Sequence, residues 1–533
     1  MTAGSLNHWL DWRRILVYTH RWLGIAGCLL FVVWFVSGVV MMYARMPRLT
    51  AEERLMRLPP LDLTAARVSP ADAGQRLEFA PERLRIGMLG DRPVYRFAGG
   101  SRWTTVLADT GEHLDGLTAT EAMALARRFM PEHASTIRYD SHLPDSDQWT
   151  LLTSVRNLMP LHRIALGDGD HTYLYISDAT GEAVMKSTGS ERRWAYLGAI
   201  PHWLYFTPIR SRPVFWDQLI VWLSIAGCIM CLSGLAWGVW RYSPFSRYRL
   251  KGVRSHSPYA GLMWWHHYAG LAFGAITFTW IFSGLLSMTP LDWAPSTSPT
   301  REQREAVSGG ALGLDLITLP RVSEAVAIMR SSSLAPRELE VVQFQREPFV
   351  LAHRAPAADQ AAHWKNTDIG AFLAPHLSLE HRLVSLTDPE PAAFTRLDDQ
   401  ALLDAARAAM PGSAIEDATW LDEYDAYYYN RFNARPLPVL RVKYDDPLRT
   451  WLYLDPQSGL ILQRLEPRSR LNRWLYNGLH SLDFPFLYHR PLWDIVVIVL
   501  SIGGTALSAT TLVAAWQRLK RHARRRTDTS TQH

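Results

Sequence analysis

Apolar positions gather into four long runs, at roughly 16–43, 214–240, 264–289 and 492–516. Each is long enough to cross a bilayer core of about 30 Å as a helix, which takes about 20 residues. The first run outlasts the apolar part of a secretory signal and has no small-residue cleavage site behind it, so it is expected to stay as a helix. Between the runs the pattern changes. LTATEAMALARRFMP (117–131) and LDDQALLDAARAAMP (397–411) carry the apolar spacing of an amphipathic helix closed by proline. HTYLYISDATGEAV (171–184) and RTWLYLDPQSGLIL (449–462) alternate as a strand, turn, and alternate again. RVSPA (67–71) and RVSEA (321–325) precede further strand patterns, RPVYRF (92–97) and EPFVLAH (347–353).

These pairs make the chain a doubled unit. Shifting residues 18–42 onto 264–288 superposes His20 on His266, Gly24 on Gly270, Trp34 on Trp280, Ser37 on Ser283 and Met42 on Met288. LSIAG (223–227) answers LSIGG (500–504), and RWAYLGAIPHWLYF (193–206) answers RWLYNGLHSLDF (473–484). The expected fold is an α-helical membrane protein with four core transmembrane helices, internally duplicated, and two outer α+β regions of mainly antiparallel strands, each folding by itself. The expected partition is 1–45 (cytoplasmic N-terminus and helix 1), 46–212 (outer region 1), 213–241 (helix 2), 242–263 (cytoplasmic loop), 264–289 (helix 3), 290–490 (outer region 2), 491–517 (helix 4) and 518–533 (cytoplasmic basic tail). Duplicated halves imply a pseudo-twofold axis along the membrane normal.

Charge sets the orientation. The chain is net +6, with a pI near 9.2 and a mean hydropathy of −0.08 that fits a mixture of membrane and water-exposed parts. Its basic residues cluster beside the apolar runs: Arg13 and Arg14; Arg241, Arg247, Arg249, Lys251 and Arg254; Arg518, Lys520, Arg521, Arg524, Arg525 and Arg526. Short basic flanks stay in the cytoplasm, which places both termini there and the two long regions outside. Three membrane-flanking patches also exclude nucleic acid as the partner. The three cysteines, Cys28, Cys228 and Cys231, all fall in predicted membrane helices. The C-x-x-C of 228–231 reads as small-residue packing, and covalent c-type haem attachment has no motif here.

Four histidines recur at equivalent places. His20 and His266 open helices 1 and 3, toward the cytoplasm; His202 and His480 precede helices 2 and 4, toward the outside. A lone interfacial histidine is a headgroup or capping residue, but two duplicated pairs on opposite faces call for more, because intramembrane ionisable groups face the bundle interior or a cofactor. Zinc and copper suit imidazole too, yet neither pair has carboxylates or thiolates at hand to complete a shell. Two histidines alone suffice for haem, whose porphyrin supplies four ligands. The expectation is two haem irons, His20 with His266 and His202 with His480. His267, adjacent to His266, is the alternative ligand there, and only the repeat favours His266. Arg21, Arg193 and Arg473 are candidates to pair with propionates, or to snorkel to lipid phosphates. Gly24 and Gly270, one turn past the histidines, give either room for a macrocycle or close helix packing. Trp34 and Trp280 fall mid-membrane, as core packing or between two haems. Should the outer regions bind the group instead, His162, His171, His376 and His381 come next.

The HRWLG helix start, the Ser-Gly near the helix end, the LHSLDFPFLY stretch and the DATGE strand turn resemble the PepSY-associated transmembrane family, over nearly the whole chain. The resemblance implies a multi-pass protein of the bacterial inner membrane, with periplasmic PepSY modules and b-type haem, among relatives that include iron-regulated ferric-siderophore reductases. Each outer region here is larger, holding about two modules. Two functions follow. In the first, a di-haem b protein takes electrons from a quinol or a cytoplasmic reductase and reduces a periplasmic ferric siderophore or other ferric chelate, as a haem-dependent membrane reductase. No G-x-G-x-x-G in a strand–turn–helix setting and no P-loop is present, so the donor is another molecule. In the second, the helices are anchors and PepSY modules act as a regulatory or binding protein, such as a peptidase inhibitor, without redox activity.

Overall fold

A computed structural model describes residues 8–250, 252–356, 379–429, 435–487 and 489–530; Lys251 and His376 lie outside the described residues. The chain divides into two compact units. One holds the residues up to Arg45 together with Trp194–Ala294 and Leu471 onward, and the other holds Met46–Arg193 and Pro295–Arg470.

The first unit is helical. Four helices, His8–Met41, Pro213–Arg241, Leu262–Ser287 and Leu492–Ser530, are long and apolar enough to cross a membrane. The first and third each pack against the second and the fourth, which makes a four-helix bundle with the duplicated helices on its diagonals. Its centre is aromatic and sulfur-rich: Phe31, Phe35, Cys228, Met230, Cys231 and Ile281, flanked by Trp34 and Trp280. Cys228 and Cys231 are free and buried here, as packing residues. Residues 194–212 and 471–490, grouped by sequence with the outer regions, belong to this helical unit. They form two short segments, with helices Ala199–Trp203 and Leu479–Ser481, that carry His202 and His480. Each ends in a leucine of left-handed backbone, Leu204 (φ 52°) and Leu482 (φ 51°), a conformation costly for a side-chain-bearing residue. Each is tied to the start of the next long helix by an indole N–H, Trp216 to the Trp203 carbonyl (2.8 Å) and Trp493 to the Ser481 carbonyl (2.7 Å).

The second unit is α+β and antiparallel throughout its ladders. Strands β1 (Arg83–Leu89), β2 (Arg92–Gly99) and β3 (Arg102–Leu107) come from the first outer region. Strands β4 (Arg138–Leu143), β5 (Leu161–Ala165), β6 (Tyr173–Ser177) and β7 (Ala183–Ser187) follow. A small hairpin, β8 (Tyr248–Leu250) with β9 (Val253–Ser255), lies between the second and third long helices in the helical unit. The second outer region supplies β10 (Leu339–Phe344), β11 (Glu347–His353) and β12 (His381–Ser385), then β13 (Ile415–Leu421), β14 (Val439–Tyr444), β15 (Trp451–Leu454) and β16 (Ile461–Leu465).

Two four-stranded sheets, β4-β5-β6-β7 and β13-β14-β15-β16, repeat the same order. Each is accompanied by its predicted amphipathic helix, Ala119–Phe129 or Asp399–Ala409. Thr118 and Glu121 close a capping box on the first, as the T-x-x-E spacing dictates. Asp398 caps the second through the Gln400 and Ala401 amides. The remaining six strands form one sheet, β12-β11-β10-β1-β2-β3, in which β1 pairs with β10 through Leu84↔Val341 and Ile86↔Leu339. The expectation that each outer region folds by itself therefore fails at this sheet. Three strands from each region meet at an edge that either alone would leave open, and Leu84, Tyr95 and Phe97 share one core with Val322, Met329 and Val350.

Candidate functional site

The bundle brings the four recurrent histidines together in two pairs. The rings of His20 and His266 stand 6.0 Å apart, and those of His202 and His480 6.2 Å apart, centre to centre. A metal held by one nitrogen of each ring at about 2.0–2.1 Å sets the ring centres about 6.3 Å apart. His20 and Ser37, which contacts His202, are about 25 Å apart along the first helix at ~1.5 Å per residue, so the pairs mark two levels.

Each ring is held through Nδ1. His20 Nδ1–H donates to the Met230 carbonyl (3.0 Å). His266 Nδ1 lies 2.8 Å from the Thr510 hydroxyl, whose own proton goes to the Leu507 carbonyl (2.6 Å), so the hydroxyl accepts from the imidazole. His202 Nδ1 lies 3.1 Å from Ser37 Oγ and 3.2 Å from the Trp34 carbonyl, and the serine hydroxyl donates to that same carbonyl. Ser283 and the Trp280 carbonyl repeat this around His480. All four rings thus carry the proton on Nδ1 and present the Nε2 lone pair, the arrangement that orients a metal-ligating histidine. Burial, with His480 beside it, pushes the His202 imidazole down to about 4, and burial lowers His480 likewise. Both are therefore neutral at pH 7, the form that can coordinate.

His267 does not join a pair. Its Nδ1 is bonded to the Ser257 hydroxyl and its Nε2 to the Gly238 carbonyl, both at 2.8 Å, so it clamps the second and third helices and has no nitrogen to spare. Trp34 and Trp280 have buried indole N–H groups with no partner among the described residues. An orphaned donor of this kind costs free energy unless a further group meets it. A Cβ at Gly24 would meet its nearest neighbours, Met230 Sδ and Thr511 Cγ2, at an ordinary 3.8 Å, and one at Gly270 would meet Leu507 at 3.8 Å. Helix packing therefore does not demand glycine at either place.

The arginines are less involved. Arg21 is exposed and stacks over Tyr18. Arg193 is exposed. Arg473 is buried on the π-helical turn before His480, where it donates to the Asp483 carbonyl (2.7 Å) and lies over Trp474. The sequence pattern had no way to show the Nδ1 acceptors, because Met230, Thr510, Ser37 and Ser283 lie on other helices from the rings they hold.

Each pair sets two imidazoles, both held through Nδ1, with ring centres 6.0 or 6.2 Å apart, a ligand set of the kind that an iron porphyrin takes, and the unpartnered indole N–H groups of Trp34 and Trp280 lie in the same bundle. No protein-family model matches this chain, and no curated protein matches it.

Proposed function

We propose that this chain carries electrons across a bacterial inner membrane on two b-type haems and reduces a periplasmic acceptor, a ferric siderophore or other ferric chelate. The observation that carries the reading is the twin imidazole pairs, each spaced for a metal between its rings and each anchored through Nδ1. His20 and His266 would hold the cytoplasmic-side iron, and His202 and His480 the periplasmic-side iron. Haem supplies a reversible one-electron couple when bound. The chain's own part is to fix the tautomer of each ligand, to keep it neutral, and to wrap the path in the Phe31, Phe35, Trp34 and Trp280 cluster, away from water.

Topology supports the reading. A sheet that takes strands from both outer regions, with two long helices between them in the chain, supports putting both regions on one side of a membrane. With the basic flanks inside, that side is the periplasm. The electron donor is a quinol or a cytoplasmic reductase. Ferric chelates suit the acceptor role because lowering the charge on iron weakens its hold on hard oxygen ligands. The motif resemblance to the PepSY-associated transmembrane family points the same way.

An absorption spectrum of the purified protein tests this. A Soret band that shifts on dithionite, with two haems per chain by pyridine haemochrome, is expected. His20→Ala or His266→Ala should remove one haem and block electron entry. His202→Ala or His480→Ala should remove the other and stop reduction of an external ferric chelate. A colourless protein would overturn the proposal and leave a membrane-anchored binding protein.

A further inference from the structure

The α+β unit holds a cluster of three side chains of metal-ligating type, His142, His162 and Asp178. His142 on β4 and His162 on β5 are direct cross-strand partners, their rings 4.8 Å apart. Asp178, just past the end of β6, reaches both. Its Oδ2 is 2.8 Å from His142 Nε2 and its Oδ1 is 2.7 Å from His162 Nε2. One ligand atom from each of the three lies within 4.8 Å of the others. Asp178 is further fixed by the Leu117 amide, which donates to Oδ1 (3.0 Å), and His162 by the Tyr139 hydroxyl, 2.9 Å from its Nδ1.

The duplicated module is an internal control. Shifted by 278 residues, the cross-strand pair His142↔His162 becomes Trp420↔Leu440, and His162↔Ile176 becomes Leu440↔Leu454, with the same pairing in each sheet. The same shift puts Pro456 in place of Asp178 and Asp417 in place of Tyr139. The scaffold therefore folds with an apolar pair and a proline at these places, and the fold does not ask for the triad. Three polar residues, from two strands and the turn after a third, nonetheless converge in the first module, with His162 buried and His142 43% exposed.

We propose that His142, His162 and Asp178 form a binding site for a divalent first-row transition ion, zinc or ferrous iron in type, with coordination positions open to solvent. Two imidazoles and one carboxylate suit such ions, and three protein ligands with an open position mark a site that can still take water or a further ligand. Without metal, each Nε2–H donates to an Asp178 oxygen, and Tyr139 O–H donates to His162 Nδ1. With metal, each ring moves its proton to Nδ1 and gives its Nε2 lone pair to the ion. The Tyr139 hydroxyl then accepts from His162 Nδ1–H, a reversal open to a hydroxyl because it is both donor and acceptor. The N–O separations open to about 3.4 Å for tetrahedral bonds of ~2.1 Å, a movement the exposed His142 ring can make.

Zinc is the probe, titrated into the full-length protein in detergent against a competing chelator, with haem content read on the same samples. The wild type should bind one more zinc equivalent than His142→Ala, and Asp178→Asn should weaken that equivalent at least ~100-fold. Tyr139→Phe should weaken it ~10–100-fold, the range for a residue that holds a ligand in place. Haem content should not change in any of them. The zinc absorption edge should report two imidazoles in the wild type. Equal stoichiometry and affinity in the wild type and His142→Ala would overturn the proposal, as would a zinc shell without two imidazoles. Because His142 lies at the surface and outside the hydrophobic core, its alanine variant keeps the core intact; an unchanged thermal midpoint without zinc checks this.

Discussion

Gly234 tests the pairing of His20 with His266 more sharply than removing a histidine does. It lies on the second long helix, four residues after Met230, whose carbonyl holds His20. A Cβ at Gly234 would stand 2.3 Å from His20 Cε1, 2.6 Å from Nδ1 and 3.2 Å from Nε2. Carbon atoms rest at about 3.5–4.0 Å, so in Gly234→Ala the ring must retreat by more than about 1 Å. Its Nδ1 already sits 3.0 Å from the Met230 carbonyl, and such a retreat takes it past the ~3.5 Å limit of a useful hydrogen bond. The helix itself gains about 1 kcal/mol from alanine over glycine. The variant should therefore fold as well as the wild type and still lose one haem, falling from two to one by pyridine haemochrome. Gly38→Ala and Gly284→Ala are the controls, because a Cβ there meets His202 and His480 at 3.4 and 3.6 Å, and both should keep two haems. Gly234→Ala with two haems and an unaltered spectrum would refute the placement of His20.

His267→Gln should keep both haems, since the ring is spent on Ser257 and Gly238; loss of one would make it a ligand after all. Glu182→Gln should destabilise the α+β unit by about 3–5 kcal/mol, the cost of stranding buried charge, because Arg54, Arg85 and Arg96 all converge on this carboxylate; an unchanged thermal midpoint would contradict that. Burial alone would raise the Glu182 carboxyl, but Arg85, Arg96 and Arg54 hold it below the carboxylate range. Its stabilisation is therefore complete above the unfolded pKa of ~4.3 and is lost as pH falls through the lower folded value, and the midpoint of Glu182→Gln should depend less on pH there than the wild type's. A reporter active only in the periplasm should be silent when fused at the C-terminus and active when inserted in 290–490.

Hydropathy made the four helices legible, and the repeat picked His20, His266, His202 and His480 out of 19 histidines. Periodicity also found the helices at Ala119–Phe129 and Asp399–Ala409 and the strand pairs beside them. Other features stayed hidden for one physical reason: contacts between distant segments leave no local pattern. The β1–β10 pairing joins residues that no spacing rule connects. His266 and His267 are neighbours in sequence, and only the helix across from each separates their roles. The sequence pattern reaches His162 only as a second choice and does not single out His142, because the triad is assembled by the register of β4 on β5 and the turn after β6. A comparison of the two modules at a shift of 278 would have shown two histidines and an aspartate facing tryptophan, leucine and proline.

The shared sheet also dictates an order of events during synthesis. Arg83 on β1 and Glu340 on β10, bonded at 2.9 Å, are 257 residues apart in the chain. At about 5–20 residues per second, β1 waits tens of seconds for its neighbour, with the second and third long helices made in the interval. Its bare edge must be shielded from other chains for that time, and the sheet closes only after both helices have been threaded. The β1–β10 ladder thus acts as a check on insertion: a chain that leaves the two outer regions on opposite sides has no way to complete it.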